Sequence, residues 1–102
     1  LTMKREVFKK LVENVCRVCE INKEDLFTKL KIRKNVDARH LLYYTCKQRN
    51  MALVTIQGYM EDNGYNINHS SIIHGINVVK ENIENDSDYL TITNQIQECS
   101  IL

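Results

Sequence analysis

The 102-residue chain contains no proline and no tryptophan, and glycine occurs only at Gly58, Gly64 and Gly75. A turn-rich β fold depends on frequent proline and glycine punctuation, so their scarcity argues against one. No apolar run approaches the roughly 20 residues that a membrane span requires, and nothing reads as a secretory signal. The chain also lacks a Gly-rich phosphate loop of the Walker kind, HExxH, GxSxG and any clustered pair of acids in a plausible cleft. Neither enzymatic chemistry nor a cofactor is therefore expected.

Cysteine is present, but not in a metal-binding pattern. Cys16 and Cys19 form a CxxC inside an amphipathic helical stretch, and no second CxxC or His pair follows at zinc-finger spacing. His69 and His74 stand five apart and miss the i, i+4 geometry of a helical metal pair, while His40 is remote in sequence. No metal is expected. Cys16, Cys19 and Cys46 read as small core hydrophobes of a reducing cytoplasm, Cys99 as a free exposed thiol, and His74 as a partly buried structural histidine.

What the chain does contain is helix-forming material. Apolar residues make up 43% and charged residues 26%, the proportions of a soluble globular protein, and Lys, Glu, Leu and Ile are plentiful. The length suits one domain over residues 1–102, with an all-α fold. A first helix is predicted over Lys4 to Cys19, with Val7, Phe8, Leu11, Val12, Val15 and Cys16 as its buried stripe. Asn22 caps a short second helix. A basic loop follows over about residues 29–35, then a third helix from Val36 to Arg49 capped by Asn35, and a fourth that begins after Asn50 and stops at Gly64. Asn68 caps a fifth, whose apolar face is Ile72, Ile73, Ile76, Val79 and Ile83. Asp86 or Ser87 caps a closing helix with Leu90, Ile92 and Ile96 turned inward.

Charge is unevenly spread along this frame. Seven Lys and Arg (Lys29, Lys31, Arg33, Lys34, Arg39, Lys47 and Arg49) face a single acid, Asp37, between residues 29 and 50, whereas only acids remain from Glu84 onward. A basic block inside a nearly neutral domain is the footprint of a phosphate-binding face; a solvated helix surface would give the same pattern. The fifth helix opens on Asn68, His69, Ser70 and Ser71, short hydrogen-bonding side chains at a positive dipole end. That is what a recognition helix entering a major groove requires, although a capped core helix with a polar tip would read alike. The fourth and fifth predicted helices, joined by a Gly-containing turn, have the layout of a helix-turn-helix over about residues 53–84.

These residues carry a resemblance. The run Asn68-His69-Ser70-Ser71-Ile72-Ile73-His74-Gly75 resembles the Asp-His-Thr-Thr-Val-x-His-Ala signature of the C-terminal DNA-binding domain of the bacterial replication initiator DnaA. Upstream, Arg33 to Tyr44 is similar to that family's basic loop and following helix start, and Leu53 to Met60 to its Ser-Leu-x-x-Ile-Gly helix. Asp86 to Ile96 is similar to its closing helix.

The resemblance implies a Trp-repressor-like bundle of about six helices that binds double-stranded DNA. Asn68, His69, Ser70 and Ser71 then match base-reading positions, Lys31 or Arg33 the minor-groove arginine, with Lys34 beside them, and Arg39, His40 and Lys47 phosphate contacts. It further implies a role in replication initiation or its regulation in the cytoplasm of a bacterium or phage-infected cell, with other replication or regulatory proteins as further partners.

The sequence departs from the pattern in ways that bear on binding. Asn68 replaces an acceptor-only aspartate, Ser70 and Ser71 lack threonine methyls, and Asn77 and Val78 stand where basic residues are common. Asp37 adds a negative charge near the expected backbone contact. The family's ATPase module is absent. Two rival readings are a transcription regulator and a protein-docking module on the same fold, the latter using Tyr43, Tyr44, Tyr59 and Tyr65 as contact residues.

Overall fold

Val7, Phe8, Leu11, Val12 and Val15 return at three- and four-residue steps, and all five are buried on one flank of a helix that runs Met3–Cys19 (α1). The structure, a computed structural model, describes residues 3–98, and every regular element within them is helical. After α1 come α2 (Lys23–Leu26), α3 (Arg33–Gln48), α4 (Leu53–Asp62), α5 (His69–Asn85) and α6 (Ser87–Gln97). None of the described helices is long and apolar enough to cross a membrane. The described residues thus form an all-α bundle of six helices; Cys99 lies outside them.

One core joins the six. Leu11 and Val15 of α1, Leu42 and Cys46 of α3, Ile56 and Met60 of α4, Ile72 and Val79 of α5 and Ile96 of α6 are all buried in it. Helix ends follow local chemistry. α1, α3 and α4 each close with the amide of a following residue reaching back to a carbonyl five before it: Ile21 to Cys16 (3.0 Å), Met51 to Cys46 (3.2 Å) and Tyr65 to Met60 (3.0 Å). Such a closure needs one residue in the left-handed region. Gly64 supplies it after α4 at φ +85°, and Asn50 after α3 at φ 63°.

One boundary, one cap and two faces differ from the sequence reading. α3 starts at Arg33, a turn before the expected Val36, so the basic segment outside helices stops at Ile32. Asn35 is not its cap: the Val36 amide bonds to the Ile32 carbonyl at 3.0 Å, and the Asn35 side chain is buried within the helix. On α5, Ile72, Ile76 and Val79 make the buried stripe while Ile73, about 100° further round, is exposed. On α6, Leu90 is likewise exposed and Ile96 carries the inward face.

The last helix is tied down at its C-terminal end. Asn14 of α1, itself buried, donates from Nδ2 to the Ile96 carbonyl at 2.9 Å. Arg49 donates to the Gln97 side chain at 2.9 Å and to its carbonyl at 2.8 Å, and the Gln97 amide donates to the Thr45 carbonyl at 3.1 Å. These bonds fasten α6 to α1 and to the end of α3.

Candidate nucleic-acid interface

α3 and α5 begin at the same end of the molecule. Val36 lines one cavity with Ser70 and Ser71, His40 meets His74 edge-on with ring centroids 5.6 Å apart, and the Tyr43 ring packs against Gly75. The two helices therefore run in the same sense, and their positive ends lie side by side. Neither has an acid in its first turn, where one would offset the dipole. Lys29, Lys31, Arg33 and Lys34 surround this end, all exposed. Between the loop and the start of α5 opens a cavity of about 550 Å³, with Lys29, Lys31, Asn68 and His74 on its wall. The field of the two helix ends adds there to that of Lys29 and Lys31, and it favours an anion.

The first turn of α5 is exposed and held in place. Asn68 is its N-cap, with the side-chain oxygen accepting the Ser71 amide at 2.8 Å. That oxygen is anchored by the helix, and the exposed side chain also carries two Nδ2 donors. His69, Ser70 and Ser71 are exposed beside it. The His69 ring is oriented from α4: its Nε2 lies 3.1 Å from Gln57 Oε1, while Gln57 Nε2 donates to the Ile67 carbonyl at 2.8 Å. With the amide fixed in that sense, Oε1 accepts from His69 Nε2–H, and the neutral imidazole keeps Nδ1 as an acceptor.

Of the expected site residues, Lys31, Asn68, Ser70 and Ser71 line the cavity, with His69 exposed beside them; Arg33 and Lys34 are exposed in the first turn of α3 but do not line it, and the field of Lys34 reaches Cys19 of α1. Three do not behave as expected. Arg39 is only 5% exposed: it stands on the cavity wall, and its guanidinium donates to the carbonyls of Leu26 (3.0 Å), Thr28 (2.9 Å) and Leu30 (3.4 Å). Those three bonds hold the loop from behind. Lys47 is exposed but sits near the far end of α3, roughly 21 Å along the axis from Arg33 at 1.5 Å per residue. His40 borders the cavity but is half-buried. Burial, and secondarily the His74 ring, holds its imidazole below the usual histidine range, and its Nδ1 has no hydrogen-bond partner.

Other expectations also shift. Arg49 is taken up by Gln97, so the basic surplus of the middle third is divided between loop, core and α6. Asp37 does not line the cavity, and its field reaches Cys19 of α1 and Tyr89 of α6. His74 is exposed on the cavity wall, not a partly buried core histidine. The four tyrosines form no common exposed surface: Tyr43 is 1% and Tyr65 8% exposed, while Tyr44 and Tyr59 are half-buried. Cys16, Cys19 and Cys46 are free thiols. Burial raises all three, Cys19 to about 11, which leaves them protonated and unreactive near neutrality.

Sequence reasoning missed Gln57 and Tyr65. Tyr65 has the Lys29 ammonium 4.1 Å and the Arg39 guanidinium 4.9 Å from its ring centroid, so one aromatic face steadies the loop through two cations. Lys29 also donates to the Asn66 carbonyl. No spacing rule announces such contacts, because they join a loop to a turn 36 residues away. Gly75, where the initiator signature carries alanine, has a structural reason. A Cβ there would lie 2.8 Å from the His40 ring and 2.9 Å from the Tyr43 ring.

Comparison with known proteins adds no relative: no protein-family model, no curated protein and no solved structure matches the chain.

Proposed function

We propose that this chain is a double-stranded-DNA-binding module that uses α4, the turn after it and α5 as a helix-turn-helix, with α5 as the recognition helix. One observation carries the reading: four exposed polar residues, Asn68 to Ser71, open α5 beside a cavity that Lys29 and Lys31 line. Lys31, Arg33 and Lys34 bind backbone phosphates, and the α5 start meets base edges. His69, with Nδ1 as acceptor, suits the exocyclic amino group of adenine or cytosine, and the Asn68 amide donates to a base acceptor. Arg39 takes the part of a positioning residue for the loop. The resemblance to the initiator domain makes replication initiation, or its regulation, the process served, in the cytoplasm of a bacterium or of a phage-infected cell.

Protein docking through tyrosines loses its support, since those side chains are buried or dispersed. The test is a salt titration of binding to a random duplex. Counterion release gives a log–log slope of about −0.9 per phosphate neutralised, hence roughly −3 for three contacts. Lys31→Ala should reduce that slope by about 0.9 on every duplex, whereas His69→Ala should keep the slope and erase preference among sequences selected from a random library. Absence of salt-sensitive retention, or identical behaviour of the two variants, overturns the reading.

A further inference from the structure

Leu30 and Ile32 are 61% and 53% exposed, among the most exposed large apolar side chains in the described chain, and they stand two apart in the segment between α2 and α3. Cations alternate with them: Lys29, Lys31, Arg33 and Lys34. This segment is not slack. Arg39 draws in the carbonyls of Leu26, Thr28 and Leu30 from the core side, and Lys29 is pinned to the Asn66 carbonyl and the Tyr65 ring. A buried guanidinium thus holds the backbone while two bare apolar side chains face water. Isolated exposed apolar residues are ordinary, but a paired tip braced from behind and ringed with charge is built for contact.

We infer that Leu30 and Ile32 form an apolar wedge that enters the minor groove of duplex DNA, unstacking a base step and bending the helix. The inference rests on the duplex-binding reading above and names how the loop engages its partner. Two considerations favour a duplex over an acidic membrane surface, the other partner such a tip fits. A wedge needs one or two apolar side chains between flanking cations, whereas a membrane-seeking surface needs a broad apolar face, which a two-residue tip does not supply. Lys29 and Lys31, which alternate with the tip, line the cavity at the α5 start, whose hydrogen-bonding side chains a lipid surface has no use for. Lys31, between the two apolar residues, takes a backbone phosphate at the edge of the groove that the wedge enters. The site of insertion should be a flexible pyrimidine–purine step, where unstacking costs least.

The test uses the full chain, a short duplex labelled at both ends for energy transfer, and 2-aminopurine placed at a TA step. Wild-type protein at saturation should shorten the end-to-end distance by an amount corresponding to a bend within about 20–90° and brighten the 2-aminopurine. The Leu30→Ser, Ile32→Ser double variant alters only exposed side chains. It should not lower the thermal midpoint, since serine in place of Ile32 stands at the N-cap of α3, where a hydroxyl is favoured, and it should still bind, yet leave the duplex straight and the probe dark. Lys31→Ala should bind more weakly and still bend the DNA it holds. A duplex that is bound but straight with wild-type protein overturns the wedge and leaves the duplex-binding reading standing, and so does unchanged bending by the double variant. Failure to bind any duplex overturns both. Retention on vesicles of acidic phospholipid that the double variant loses, with its DNA bending intact, reassigns the tip to a lipid surface.

Discussion

Gly75 and Gly58 both lie inside helices, yet their surroundings give substitution by alanine opposite signs. At Gly58 nothing lies within 4 Å of the place an alanine methyl would take, so Gly58→Ala gains helix propensity of about 0.5–1 kcal/mol and should raise the thermal midpoint by a few degrees. At Gly75 the same methyl meets the His40 and Tyr43 rings below 3.0 Å, and the fully buried Tyr43 has nowhere to retreat. Overpacking of that kind costs about 1–3 kcal/mol, more than helix propensity returns, so Gly75→Ala should lower the midpoint. Thermal scans of the two variants side by side check the pair; equal shifts would mean that the α3–α5 contact is looser than described. His40 supplies a pH dependence from the same contact. Its pKa is depressed in the folded chain by burial and then by His74, so below the ordinary histidine value of about 6.5 the unfolded chain takes up this proton first. The His40 contribution to stability is complete above that value and is lost as pH falls from there through the lower folded pKa. Urea midpoints should therefore decline as pH falls below about 6.5, in wild type more than in His40→Gln, and parallel declines would remove His40 as the source.

Among the elements, those with a cap and a regular apolar stripe are legible in the sequence, and those set by distant partners are not. Asn68 and Asp86 announce α5 and α6 because a side-chain oxygen at that place can accept an orphan amide, and both do so, from Ser71 and Asp88. α3 begins instead after Ile32, which has no capping side chain, so a boundary placed by cap chemistry at Asn35 falls a turn late. Likewise the convergence of basic loop and α5 start can be anticipated from charge and motif. That Arg39 belongs to the core cannot, because its acceptors are three main-chain carbonyls of a loop without periodicity. Gln57 illustrates what one element does for another: from α4 it fixes both the turn, through Ile67, and the first histidine of α5. On the duplex-binding reading, Gln57→Ala releases the His69 ring. One oriented hydrogen bond is worth about 1 kcal/mol, so the affinity ratio of a selected over a random duplex should fall about fivefold, with an unchanged salt slope. A loss of affinity for both duplexes alike would place Gln57 in the scaffold and not in discrimination.

Across the whole molecule, the basic loop and the fastening of α6 sit at opposite ends of α3. The end at Arg33 gathers two helix N-termini and the loop cations, while the end near Gln48 receives the last residues of α6. The fastening at the other end has a use of its own. Asn14→Ala leaves the buried Ile96 carbonyl without its side-chain donor, which costs about 1–3 kcal/mol, or roughly 4–8 °C of midpoint per kcal/mol, without touching any residue near the loop. Calorimetry should show the drop while duplex affinity measured in the cold stays that of wild type. Such an allele would be heat-sensitive, intact when grown cool and lost on warming, and it would give genetics an on–off control over this chain in a living host.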